Sequence, residues 1–250
     1  MKLPKVKFRS MTLEENIDNI KQAYFANGDV RDYTIKYYKE LINISDDLSN
    51  EEIVKIIEKA VSEKYKENID LINKDVKRYN FIWNNYNDLY FRKLSDYFKI
   101  DWPLIYTIDA KVGLMAVFPR YLDSYAFSIG TKLSDSVLIR VVAHETLHFM
   151  WFQKWRVIYP EISRNQYEAP YLPWQYSEMV TDTILNNEPF SSTFNNLFKE
   201  RSYEYFYSLY DGKELVMNKL DSIFCSNCEI EEKMKLGFEY LKKYYVDKEI

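Results

Sequence analysis

The sequence predicts a predominantly helical α+β fold. Only 5 of the 250 residues are glycine and 7 are proline, which favours long elements over tight turns. Amphipathic helical patterns cover most of the chain, whereas runs of branched and aromatic residues typical of strands occur only between residues 104 and 130. These runs stand directly before an apolar segment, which we predict to be a central buried helix.

Composition and charge exclude several classes of function. Apolar residues make up 47% of the chain and charged residues 29%, as is usual for a globular protein. The formal net charge of −4 argues against a nucleic-acid-binding surface. No apolar run reaches the roughly 18 residues of a membrane helix, and residues 1–8 lack the apolar core of a signal peptide. We therefore expect a cytoplasmic protein with no membrane partner.

Residues 1–100 are predicted to form a helical N-terminal region that carries no chemical motif. A loose or extended segment, residues 1–10, is expected to precede the first helix. Two residue pairs have the spacing of a capping box, in which a hydroxyl side chain and a glutamate three positions later satisfy the free N–H groups of a helix start. These pairs are Thr12 with Glu15 and Ser49 with Glu52.

The predicted core comprises residues 101–190 and begins with a small sheet. The three predicted strands are residues 104–108, 114–118 and 125–130. Residues 109–113 are predicted to form a turn between the first two strands. The buried helix follows, with Ser134 or Asp135 as its N-cap and its end at about Arg156.

The buried helix contains the motif His144-Glu145-x-x-His148, and the chain has no other histidine. Histidines four positions apart lie one turn apart on the same face of a helix, so their imidazole nitrogens can bind one metal ion. Zinc suits such nitrogen donors best. From its position beside His144, Glu145 can take a proton from a water on the metal. The alternative is a pair of core histidines with hydrogen-bond partners.

Two histidines do not complete a catalytic zinc site, which usually has three protein ligands and a water. Because no histidine remains, the third ligand has to be a carboxylate. Residues 173–185 form a predicted amphipathic helix on which Glu178 and Asp182 share one face. Glu178 could bind the metal while Asp182 accepts a hydrogen bond from a ligand imidazole. Glu161 and Glu168 are the rival third ligands.

His-Glu-x-x-His followed by Glu-x-x-x-Asp on a second helix resembles the pattern of gluzincins, the zincin metallopeptidases that include thermolysin-like and aminopeptidase families. The resemblance spans roughly residues 103–190. It implies a zincin-like fold, in which a small sheet packs against the motif helix and a C-terminal helical subdomain, residues 191–250, closes the cleft. It also implies a peptide or protein substrate. A Gly-x-Met-Glu-Asn-like segment is missing, so an endopeptidase is favoured over an aminopeptidase.

The resemblance further implies the roles of single residues. One zinc ion per chain would be held by His144, His148 and Glu178, and Glu145 would transfer the proton during hydrolysis. With no third histidine, a tyrosine would stabilise the oxyanion, and the sequence does not choose among the candidates. These are Tyr167, Tyr171, Tyr176, Tyr203, Tyr205 and Tyr207.

The resemblance also implies that the last strand before the motif helix lies along the substrate cleft. Ala126, Phe127 and Ser128 could then pair with an extended peptide through main-chain hydrogen bonds. The alternative is an ordinary edge strand.

Two other functions remain open. The chain could be a catalytically inactive zincin-like binding or regulatory protein that retains a metal site, although pure metal binding does not require Glu145. It could also be a helical interaction module with an accidental motif. Cys225 and Cys228 form a CxxC pair, which we expect to be inert thiols in a reducing cytosol, with a reversible disulfide as the alternative.

Overall fold

A computed structural model describes residues 2–26, 28–42, 44–45, 47–195 and 202–246. It confirms the predominantly helical α+β class. The helices are α1 (Leu13–Phe25), α2 (Asp29–Tyr37), α3 (Asn50–Asn84), α4 (Asn87–Phe98), α5 (Asp135–Ile158), α6 (Leu172–Asn186), α7 (Phe190–Thr193), α8 (Val216–Phe224) and α9 (Ile230–Val246). The strands are β1 (Lys5–Ser10), β2 (Thr107–Gly113), β3 (Arg120–Tyr121), β4 (Ala126–Gly130), β5 (Tyr210–Asp211) and β6 (Glu214–Leu215).

The chain divides into two compact units. The sequence suggested a helical region of residues 1–100, a core of residues 101–190, and a C-terminal subdomain of residues 191–250 that forms one compact unit with the core. The sheet unit comprises Pro4–Asn85 and Tyr106–Ile139, and the helical unit comprises Met1–Leu3, Tyr86–Ile105 and Arg140–Ile250. The difference arises because β1 pairs with β2, about a hundred residues later in the sequence, and because α4 packs against Pro189 and Phe190 at the start of α7.

The sheet of the sheet unit has the strand order β1-β2-β4-β3. Residues 5–10, predicted to be a loose or extended lead-in, form β1, which runs parallel to β2 from Lys5 opposite Thr107 to Ser10 opposite Val112. β2 is also parallel to β4, whereas β3 is antiparallel to β4. The sequence did not predict that this extended segment pairs with a strand about a hundred residues away, a partner that stabilises β1.

Two of the predicted strands were misplaced. Residues 109–113, predicted to be a turn, form most of β2, which begins only at Thr107. Residues 114–118, predicted to be a strand, do not form one. Side chains satisfy the main chain there instead, since Leu114 N–H donates to the Asn16 side chain (2.8 Å) and Leu114 C=O accepts from the Tyr38 hydroxyl (2.8 Å).

Helix α3 packs against the sheet of the same unit. The Asn80 side chain accepts a hydrogen bond from Phe8 N–H (3.2 Å) and donates to Phe8 C=O (3.0 Å), so it satisfies the outer edge of β1. The Tyr79 hydroxyl donates to the main-chain oxygen of Gly130 in β4 (3.0 Å). Both predicted capping boxes, at the starts of α1 and α3, are confirmed.

A charge cluster ties α1 to the sheet. The Arg9 guanidinium donates to both carboxylate oxygens of Glu15 (2.7 and 2.6 Å) and also bonds Asp109 (3.1 Å). Hydrogen bonding from Arg9 is the main reason that the pKa of Glu15 is lowered from 4.5 to about 2. Because the folded-state pKa is depressed, Glu15 stabilises the fold above about pH 4.5, and this contribution disappears as the pH falls through about 2.

We expect Glu15→Gln to lower the free energy of unfolding by about 1 kcal/mol at neutral pH. The pKa shift by itself corresponds to about 3 kcal/mol, but solvent screens this partly exposed pair. Urea unfolding of both proteins across the acid range should show the difference shrinking as the pH falls below 4.5. Glu14→Gln, an exposed neighbour, is the control. A difference that does not change with pH would contradict the assignment.

The helical unit is built around aromatic side chains. The buried Tyr90 of α4 packs against Phe190 and Phe194, with ring centroids 5.6 and 5.1 Å away.

Cys225 and Cys228, between α8 and α9, are free cysteines. Within the described part of the chain, no helix is long and apolar enough to cross a membrane.

Candidate metal centre

Helix α5 is buried along the segment that carries the histidine motif. Ser134 caps the helix, because its hydroxyl accepts a hydrogen bond from Val137 N–H (3.3 Å). Residues 142–152 are all buried, so His144 and His148 are shielded from water. Polar side chains in such surroundings need a hydrogen-bond partner or a bound ion.

Glu178 on α6 meets both histidines. Its Oε2 lies 3.0 Å from Nε2 of His144 and 3.3 Å from Nε2 of His148, and the two Nε2 atoms are 3.1 Å apart. The three residues are only 9%, 0% and 4% exposed for His144, His148 and Glu178. The structure thus brings together the three side chains that the sequence suggested as metal ligands.

The spacing of these three atoms fits a small metal ion. Bonds of 2.0–2.1 Å from a tetrahedral zinc ion would place its ligand atoms about 3.3–3.4 Å apart. The observed sides of the triangle, 3.0, 3.1 and 3.3 Å, are close to that edge length. Two imidazole nitrogens and a carboxylate oxygen are also donors that such ions accept. The group could therefore bind a metal ion with little rearrangement.

The electrostatics of the centre favour a cation. Burial disfavours an ionised Glu178, but the charges and hydrogen bonds of His148 and His144 outweigh it and hold the pKa of Glu178 well below 4.5. Burial also disfavours a protonated His144, yet the hydrogen bond and charge of Glu178 raise the pKa of His144 above 6.5. The centre thus sets a buried carboxylate against two imidazoles, and these donors can hold a cation in place of protons.

Glu145 is the second acidic group at the centre. It is 8% exposed and follows His144 directly on α5. Its negative charge contributes to the raised pKa of His144, so the carboxylate acts electrostatically on the metal-binding group. Its role as the proton-transferring residue stays a prediction.

Helix α6 is held in place by Tyr176, which is fully buried. Its hydroxyl donates to the main-chain oxygen of Met234 on α9 (3.1 Å), and its ring meets Trp151 of α5 edge to face (5.1 Å). A side chain at Gly237 would overlap the Tyr176 ring, so glycine permits the close approach of α9. Tyr176 therefore anchors the helix that carries Glu178.

The other tyrosines proposed for the oxyanion lie in different surroundings. Tyr167 is buried and stacks on Phe152 of α5 (4.7 Å). The remaining candidates are Tyr171, Tyr203 and Tyr205, which are exposed, and Tyr207, which is half-buried. An oxyanion role stays a prediction for each of them.

Asp182 lies one turn after Glu178 on α6 and is 7% exposed. The sequence suggested that it accepts a hydrogen bond from a ligand imidazole. In the structure its Oδ2 accepts from Ser202 N–H (2.7 Å) and its Oδ1 from the Ser202 hydroxyl (2.6 Å). Asp182 still acts on His144 through its charge, which helps to raise the pKa of His144.

The rival third ligands lie outside the centre. Glu161 and Glu168 are exposed, and Glu168 forms an ion pair with Arg164 (3.1 Å). Among the described residues, neither glutamate belongs to the group of converging donors.

The expectation that residues 126–128 offer a strand edge was wrong. In β3, Tyr121 pairs with Ala126 and Arg120 pairs with Phe127. The next position is also satisfied, because Ser128 N–H donates to Pro119 C=O (2.8 Å). Residues 119–121 fold back over this edge of β4, so it is not open to an extended peptide.

Sequence reasoning missed two contacts made by residues on the helices that carry the centre. Ser202 bonds Asp182, and the Tyr90 hydroxyl donates to the main-chain oxygen of Ala143, directly before His144 (2.7 Å). Ser202 lies 20 residues from its partner and Tyr90 lies 53 residues from its own. No spacing rule links residues so far apart, so the sequence carried no signal for either contact.

Comparisons with protein-family models, with curated proteins and with solved structures find no match for this chain. Its function is therefore inferred from the residues and the geometry of the centre.

Proposed function

We propose that the protein is a zinc-dependent metallopeptidase of the gluzincin type and hydrolyses internal peptide bonds of a peptide or protein. The observation that carries this proposal is the convergence of His144, His148 and Glu178 within 3.3 Å of one another in a buried site. A site built only to hold a metal does not require a second carboxylate, and Glu145 supplies one.

Each residue of the centre has a role in hydrolysis. The two imidazoles and the Glu178 carboxylate would hold zinc, which lowers the pKa of a water and polarises the scissile carbonyl. Glu145 would accept the proton of the attacking water as the new C–O bond forms, and would deliver it to the amine as the C–N bond breaks. The burial of Glu145 keeps its carboxylate away from bulk water, which strengthens its interaction with the reacting groups.

A peptide-library assay on the metal-loaded protein tests this function. We expect one zinc per chain by elemental analysis, cleavage of internal bonds detected by mass spectrometry, loss of cleavage with 1,10-phenanthroline, and recovery when zinc is restored. One zinc per chain without any cleavage would contradict the peptidase and favour a binding or regulatory protein. Failure to bind zinc after reconstitution would contradict the metal centre itself.

A further inference from the structure

The contact between Ser202 and Asp182 joins a tyrosine-rich segment to the helix that carries Glu178. Ser202 donates to Asp182 with both its main-chain N–H and its hydroxyl, at 2.7 and 2.6 Å. Hydrogen bonds to an ionised carboxylate are among the stronger ones in proteins, and here two of them share one acceptor group. Residues 202–208, which we call the tyrosine segment, are therefore fixed to α6 at their first residue.

The anchoring point lies close to the candidate metal centre. Asp182 is four residues after Glu178, which is about one turn or 6 Å along a helix. An extended peptide advances about 3.3 Å per residue. When the scissile bond lies at the metal, the side chains one or two residues away are about as far from the metal as Asp182 is from Glu178 along the helix. The tyrosine segment thus begins within reach of a bound peptide.

The tyrosine segment combines a buried anchor with exposed aromatic rings. Phe206 is 5% exposed, and its ring centroid lies 5.4 Å from that of Tyr203 and 5.7 Å from that of Tyr205. Tyr203 directly follows Ser202 in the sequence, and its side chain is 40% exposed.

We propose that Ser202 is a positioning residue that fixes the tyrosine segment beside the metal centre, and that Tyr203 selects substrates with an aromatic or large apolar side chain near the scissile bond. This inference rests on the proposed peptidase function. An exposed ring with a buried aromatic neighbour offers a face on which another aromatic or apolar side chain can pack. Removing the Ser202 hydroxyl leaves the metal ligands unchanged, so the affinity for substrate should change while the affinity for zinc does not.

Peptide binding without turnover tests the proposal. Zinc-loaded Glu145→Gln protein provides the inactive background, and the probes are blocked peptides that differ at one position, with phenylalanine, leucine, alanine or aspartate. Tyr203→Ala should weaken the binding of the phenylalanine and leucine peptides about fivefold and leave the alanine peptide unchanged. Ser202→Ala should also weaken the binding of the phenylalanine and leucine peptides and leave the alanine peptide unchanged. Ser202→Thr keeps a hydroxyl and should restore the binding of both peptides. Tyr33→Ala, an exposed tyrosine of the sheet unit, is the control.

Hydrolysis by the variants with an intact Glu145 gives a second measure. We expect Ser202→Ala to raise KM for the phenylalanine peptide with a much smaller change in kcat, and to bind zinc as tightly as the parent. Equal peptide binding by Tyr203→Ala and Tyr33→Ala would overturn the inference. Zinc-dependent cleavage by the parent would still support the peptidase function in that case. Weaker zinc binding in Ser202→Ala would also overturn it, since the contact would then act on the metal. Selective peptide binding without cleavage by the parent would support the inference and reject the peptidase function.

Discussion

Glu178→Ala is expected to lower the affinity for zinc by about a hundredfold or more, because the change removes one of three protein donors and the only negative charge among them. Even residues that merely orient metal ligands change affinity by about 10- to 100-fold, and a ligand should matter more. The loss should appear as a zinc content well below one per chain and as a right-shifted competition titration against a chromogenic chelator.

Thermal unfolding gives an independent measure of the same change. A ligand that binds only the folded state stabilises it by about 2.7 kcal/mol when its concentration is a hundred times Kd. Added zinc should therefore raise the Tm of the parent protein and leave that of Glu178→Ala nearly unchanged. Glu168→Ala is the matched control, since Glu168 is exposed and paired with Arg164. Zinc loss in Glu168→Ala but not in Glu178→Ala would place the third ligand elsewhere.

Glu145→Gln is expected to reduce kcat by about a hundred- to ten-thousandfold, the usual contribution of a general base. Glutamine has nearly the same shape as glutamate but cannot accept a proton from the attacking water at neutral pH. Zinc should remain bound, because none of the three converging donor atoms belongs to Glu145. The comparison requires steady-state hydrolysis of one peptide and a zinc titration on the same preparations.

Glu161→Gln is the control for Glu145→Gln, since it makes the same chemical change at an exposed position that lies outside the centre. It should leave both kcat and zinc affinity unchanged. Full activity in Glu145→Gln would exclude Glu145 as the base. Loss of zinc together with loss of activity would instead indicate that Glu145 acts through the metal, either by binding it or by holding its ligands.

Much of the centre could be predicted because its pattern is local. The four-residue interval between His144 and His148 places both rings on one face of any helix, and the capping hydroxyl of Ser134 and the apolar run after it mark that helix. Glu178 and Asp182 were recognised by the same periodicity on a second helix. The meeting of Glu178 with the histidines is a contact between two helices, and sequence spacing could suggest it only through the resemblance to a known pattern.

Local patterns in the sequence predict the predominantly helical class, both capping boxes and the His144-Glu145-x-x-His148 motif, because each depends on neighbours within about one helical turn. The choice of Glu178 as the third ligand rested also on the resemblance to a known pattern. The folded structure was needed to show that residues 5–10 form a strand, that β3 covers the edge of β4, and that Asp182 bonds Ser202. Strand pairing and side-chain contacts of this kind join residues far apart in sequence. Their stability comes from packing and hydrogen bonds that form only when the chain is folded, so no local pattern records them.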